Sequence, residues 1–188
     1  TLLRAQRDLK AIGEILGKTI PGIDDDIATL EAGAATLWNE SISCYDSRDV
    51  LNGVWGNSVS NASFLCWYAG IDTPQMCPVL DDMMNLDLRY GIPSLHPANP
   101  MFDSKRYWRG PVWGMMNMLI SMGLDENGMQ QQAADIRINT ADLIRDHGFA
   151  EYFDPVDGSP AGGQSFTWTA AIWLGWASPT VNNDSGND

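Results

Sequence analysis

Apolar residues recur at three- and four-residue spacing in segment after segment of this 188-residue chain. Nowhere do they alternate with polar residues over the length of a strand. That periodicity is the signature of helices that bury one face, and it predicts an all-α fold. A first helix is expected over 1–16, where Leu2, Leu3, Leu9, Ile12, Ile15 and Leu16 recur before Gly17 and Pro21-Gly22 stop it. A second is expected over 25–39, with Asp24, Asp25 and Asp26 supplying negative charge to its first turn. A third spans 57–69, and a fourth runs from Pro74 to about Leu88, because proline is tolerated at a first helical position. Pro111 opens a fifth, in which Val112, Met115, Met116, Leu119 and Ile120 form an inward stripe while Trp113 and Asn117 share another face. A sixth covers 126–146 and ends at His147-Gly148, and a seventh covers 165–177 with Trp168, Trp173 and Trp176. Residues 40–56 read as irregular with room for a short strand, and the polar tail 178–188 reads as flexible.

Charge narrows the partners. The net charge of −13 argues against nucleic acid, whose phosphates need clustered Lys and Arg, and against an anionic membrane surface. No apolar run is long enough to span a bilayer. Of the 24 acids 19 are Asp, a capping and turn residue, so each of the five Glu can be weighed singly. The Asp24–Asp26 triplet lacks the alternation of a calcium loop. Cys44, Cys66 and Cys77 show no paired spacing, and with His96 and His147 as the two histidines there is no zinc signature. No metal or cofactor is expected. The cysteines read as free thiols of a reducing compartment, which points to the cytoplasm. Asn39, Asn61 and Asn183 head glycosylation triplets, which matter only in a secreted protein. The chain opens on Thr1 inside a helical pattern with no leader, which reads as a piece of something longer.

Two long segments without helical period carry the candidate chemistry. One runs from Tyr90 to Gly110, the other from Phe149 to Gln164. Loops of this length are usually functional or disordered, and their aromatic content speaks against disorder. Both set aromatic rings beside carboxylates, in Tyr107-Trp108-Arg109-Gly110-Pro111-Val112-Trp113 and in Glu151-Tyr152-Phe153-Asp154. Glycoside hydrolysis uses such groups: one carboxyl protonates the leaving oxygen, another activates water, and rings shape the sugar pocket. The bland alternatives stand beside this. Trp67, Trp173 and Trp176 read as core, Asp154 as turn chemistry before Pro155, and Arg109 as a tie to a buried carboxylate. Glu151 differs from an ordinary solvated loop glutamate in being flanked by Phe149, Tyr152 and Phe153.

The runs GIPSLHPANPMFDSKRYWRGPVW, GFAEYFDPVDG and GGQSFTWTAA, with SRDVLNG and WYAGIDTPQM before them, resemble glycoside hydrolase family 63. The likeness is to its bacterial mannosylglycerate and glucosylglycerate hydrolase branch, and it extends from Trp38 to Trp176. The resemblance implies an (α/α)6 toroid of twelve helices and an inverting α-glycosidase. It implies that Glu151 is the general base, that Tyr107, Trp108 and Trp113 line the sugar pocket, and that Gln164 contacts the substrate. The family's general acid is an Asp in an upstream Glu-Ser-Gly-x-Asp block, which these 188 residues do not contain. Twelve helices at the spacing seen here would need on the order of 320 residues. Residues 1–177 therefore read as the C-terminal part of a catalytic domain whose N-terminal half lies outside this chain. Two other classes remain open: a carbohydrate-binding or inactive half-barrel, and a helical scaffold without ligand. Within enzymes, a trehalase or debranching type shares the toroid.

Overall fold

The computed structural model describes residues 1–179; the expected polar tail lies almost entirely outside the described residues. Among the described residues seven α-helices follow one another: α1 (Leu2–Ile15), α2 (Ile23–Ala35), α3 (Leu65–Tyr68), α4 (Cys77–Met84), α5 (Gly114–Glu126), α6 (Gln130–His147) and α7 (Thr167–Ile172). Two antiparallel pairs of two-residue strands interrupt them, β1 (Trp38–Asn39) with β2 (Cys44–Tyr45) and β3 (Tyr152–Phe153) with β4 (Pro160–Ala161). No helix among the described residues is long and apolar enough to cross a membrane.

The helices α1 and α2 form a hairpin. Gly22, at φ +78°, turns the chain so that Asp24, Asp25 and Asp26 fall in the first turn of α2, where free N–H groups favour negative charge. The second helix ends at Ala35, short of the expected 39, because Trp38 and Asn39 are drawn into pairing with Tyr45 and Cys44. The third begins late. Residues 57–60 stay outside any helix, with Asn57 at φ +47°, and a 3₁₀ turn (Asn61–Phe64) leads into α3. The fourth begins as a 3₁₀ turn at Pro74–Met76 and stops at Met84, where the Asn85 side chain donates to the Asp81 carbonyl (2.8 Å).

The fifth helix departs most from its periodicity. Pro111 does not open it. Val112 exchanges two backbone hydrogen bonds with Phe153 (2.8 and 3.0 Å), which holds 111–113 extended, and α5 starts at Gly114. Its buried stripe is Met116, Asn117, Ile120, Ser121 and Leu124, whereas Met115 and Leu119 are half-buried. Asn117 and Trp113 thus face inward. Asn117 is tolerated there because its amide is satisfied: Oδ1 accepts the Ile92 N–H (3.2 Å) and Nδ2 donates to Thr140 Oγ1 (3.0 Å).

The main core gathers Phe64, Trp67, Met76, Leu80, Ile120, Leu124 and Ile136. Trp67 is buried there, stacked on Phe64 at 6.1 Å. Half-buried Trp173 and Trp176 flank a second cluster of Ala141, Ile144, Ile172 and Ala177. A third cluster, Tyr90, Val112, Leu143, Ala150 and Phe153, lies beneath the two long loops. Helix α1 is different. Leu2, Leu9, Ile12, Ile15 and Leu16 are all exposed, and charge ties the helix down: Arg4 bridges Glu126 at 2.6 and 3.0 Å, and Arg7 bridges Glu31 at 2.6 Å. Asn39 and Asn61 are buried, which removes both as glycan acceptors in the folded chain; Asn183 lies outside the described residues.

Candidate active site

The two long loops are not free of regular structure. The Ser94 N–H donates to the Pro111 carbonyl (3.0 Å), and Val112 pairs with Phe153. Strand β3 then pairs with β4, so four short extended segments lie side by side. Strands of two residues carry no alternation that a periodicity reading can detect. Beneath them Val112 and Phe153 are fully buried. This narrow sheet brings the Tyr107–Trp113 segment against the Glu151–Asp154 segment.

Side chains complete the junction. The buried Asp154 carboxylate accepts the Ser104 hydroxyl (2.9 Å) and the Val156 N–H (2.8 Å), with the Lys105 ammonium at 3.7 Å. Asp154 is therefore a turn residue, as its place before Pro155 predicts, and also a staple between loops. The expected tie from Arg109 to a carboxylate is not made. Arg109 Nε donates to the Met101 carbonyl (2.8 Å), closing the first loop on itself, because Ser104 and Lys105 already serve the buried acid.

Four aromatic rings meet above this junction. Trp108 stacks on Trp113 with centroids 4.2 Å apart and planes 5° apart, and Tyr152 stacks on Trp113 at 5.0 Å. Tyr107 stands edge-on to Trp113, Tyr152 and Trp108 at 5.0, 5.5 and 6.0 Å. The stack sorts the rings: Trp113 is 1% exposed, while Trp108 keeps 43% and Tyr107 49%. Tyr107 sits at φ +42°, a left-handed conformation disfavoured for an aromatic residue by about 1–3 kcal/mol. Its carbonyl accepts the Trp113 indole N–H (3.0 Å), and the surrounding rings hold it there. Tyr152 is the ring that sequence reasoning missed as a platform member; its position beside Glu151 was the one available signal.

Glu151 lies immediately before β3, half-buried. Its N–H donates to the Gly163 carbonyl (3.0 Å), and its Oε2 accepts the Gly163 N–H (3.0 Å). Gly162, at φ +71°, packs against it. A Cβ at 162 would overlap Oε2 and come within 2.8 Å of both Glu151 Cβ and Tyr152 Cε1. The carboxylate and the Tyr152 ring therefore touch one glycine. Gln164 follows on this corner, exposed, before Ser165 at φ +56°. Beyond it Trp168 is half exposed and edge-on to Phe166 at 5.5 Å. The arrangement thus gathers Tyr107, Trp108, Trp113 and Glu151, with Gln164 one residue past the carboxylate's partner. Among the described residues no group of three or more His, Cys, Asp or Glu is placed to hold a metal ion.

Seven helices with aromatic rings and a glutamate gathered on two long loops fit the class of helical glycoside hydrolase domains. The chain belongs to the mannosylglycerate hydrolase MGH1-like glycoside hydrolase family, whose model matches residues 1–169. It is 34% identical over 178 residues to a mannosylglycerate hydrolase of Thermus thermophilus, covering 93% of this chain and 43% of that protein. It superposes with a TM-score of 0.86 on the crystal structure of a GH63 mannosylglycerate hydrolase from Thermus thermophilus in complex with glucose, at 34% identity, covering 92% of this chain and 45% of that one. Neutral trehalase Nth1 of Saccharomyces cerevisiae shares the fold alone, at 15% identity and a TM-score of 0.68, covering 98% of this chain and 38% of that one. The chain thus spans less than half the length of these relatives.

Proposed function

We propose that the protein to which this chain belongs hydrolyses an α-glycosidic bond in a small glycoside, with mannosylglycerate or glucosylglycerate as first candidates, and inverts the anomeric centre. The observation that carries this reading is Glu151 held by the Gly163 amide beside the Trp108–Trp113–Tyr152 stack. In this reading ionised Glu151 takes a proton from a water as that water attacks the anomeric carbon. The glycosidic bond breaks on the opposite face, and an Asp outside this chain protonates the departing oxygen. The two carboxyls of an inverting pair stand about 6.5–9.5 Å apart to admit the water. The exposed faces of Tyr107 and Trp108 support a sugar C–H face through apolar contact, and Gln164 supplies hydrogen bonding to its hydroxyls. Three unpaired cysteines support a reducing, cytoplasmic setting for it.

The test uses the full chain with either glycoside and follows the first-formed anomer by NMR. Inversion is expected, together with a fall of about 10²–10⁴ in kcat for Glu151→Gln. Undiminished activity in that variant refutes the assignment. Binding of the glycoside without turnover by the unmutated protein would place it among carbohydrate-binding half-barrels instead.

A further inference from the structure

Among the described residues, the Glu151 carboxylate accepts one hydrogen bond, and it comes from the backbone of Gly163 (3.0 Å). A flexible glutamate in a loop would sample several rotamers. Here two further features restrict it. The Glu151 N–H is bound to the Gly163 carbonyl, so the two residues lock in both directions. Gly162 takes a positive φ and leaves no room for a Cβ against the carboxylate. Gly163 is less restricted: a Cβ there would sit 3.2 Å from the Phe166 ring, which must give by a few tenths of an ångström, and 3.9 Å from Oε2.

We propose that the Gly162–Gly163 corner is the positioning device of the general base, with the Gly163 N–H occupying Glu151 Oε2 and leaving Oε1 as the oxygen that receives the proton. This rests on the assignment of Glu151 above. It gives Gly163 a positioning role through its amide and Gly162 one through its missing side chain. An amide fixed in the fold needs no reorganisation when the carboxylate acts, which is the advantage of a preorganised donor.

The experiment compares Gly163→Ala with Gly163→Pro in the full chain, using whichever glycoside the unmutated protein turns over. Alanine keeps the N–H; proline removes it. Gly163→Ala is expected within about twofold of the parent, and Gly163→Pro to lose about tenfold or more in kcat with KM little changed. In a Glu151→Asp background, whose shorter carboxylate falls short of the amide, the proline substitution is expected to cost nothing further. A general structural defect would lower both backgrounds alike. Should the proline variant not fold, glycolic acid incorporated at 163 replaces the same N–H by oxygen without adding bulk. Equal kcat in the alanine and proline (or glycolate) forms overturns the proposal while leaving Glu151 intact as the base. Full activity in Glu151→Gln overturns both.

Discussion

Trp108 and Trp113 stack at 4.2 Å, yet they live in different media. Trp113 is almost wholly withdrawn from water, and its indole N–H donates to the Tyr107 carbonyl, so truncation removes both a buried ring and the prop under a strained residue. Trp113→Ala is expected to destabilise the protein by about 3–5 kcal/mol in denaturant unfolding. Trp108→Ala is expected to change stability by less than about 1 kcal/mol. Its effect belongs in KM, measured with the same glycosides. The sequence shows both tryptophans in one motif but not which is floor and which is face, because that is decided by Tyr152, 39 residues after Trp113. Burial acts on chemistry too. The Cys66 thiol is pushed up from 9.0 to about 12, chiefly by desolvation. An unfolded chain releases that proton near 9, the folded one only near 12, so the native state loses stability as pH rises through this interval. Cys66→Ala is expected to flatten that decline in a pH series of unfolding midpoints; an unchanged slope would assign the decline to other groups.

At the level of elements, the helices were legible because apolar period and capping residues are local, whereas their starts were not. Pro111 is a sound helix opener by local rules, yet Val112 finds a better partner in Phe153, and pairing between residues 41 positions apart leaves no trace in either segment alone. Asn117 is the same lesson in a helix: polar by type, it belongs to the buried stripe because Ile92 and Thr140 wait for it. The two loops stand out in the sequence by their aromatics and acids, but their fastening does not, since Ser104 and Asp154 meet across 50 positions. That fastening makes a prediction. Removing the Asp154 side chain frees the first loop, whose Lys105, Arg106 and Arg109 are then open to trypsin. Asp154→Ala is expected to be cut within 105–109 several-fold faster than the parent under native conditions. Equal cleavage would mean that Val112–Phe153 pairing suffices. Close helix contact offers a second test. A Cβ at Gly123 would come 2.7 Å from the Trp67 carbonyl carbon and from Tyr68 Cα, which are backbone atoms with nowhere to retreat. Gly123→Ala is expected to push α5 off α3 and destabilise by about 1–3 kcal/mol despite its better helix propensity.

The whole molecule has an asymmetry that these local contacts do not explain. Most large apolar side chains of α3, α5 and α6 are buried or half-buried, whereas α1 buries Leu3 but turns Leu2, Leu9, Ile12 and Ile15 outward, as does Leu16 at its C-cap, and is held by Arg4 and Arg7. Exposed ion pairs contribute little, typically up to about 1 kcal/mol, so they are a weak substitute for a buried face. The chain covers 43% of its Thermus relative while superposing closely on the corresponding region of a solved structure. Large exposed apolar surfaces on a folded chain commonly mark interfaces. These 188 residues, produced alone, are therefore expected to bind a hydrophobic dye and to unfold over a broad temperature range with low cooperativity. The outward face of α1 is the weakest region, so Ile12→Glu with Ile15→Glu is expected to lower dye binding without loss of helix content. The same pair in a longer chain that buries α1 is expected to destabilise it, because two carboxylates would then be taken from water without partners. A sharp, dye-free transition of the monomeric 188-residue chain would show instead that α1 needs no cover, and that its ion pairs and the buried Leu3 are enough to seat it.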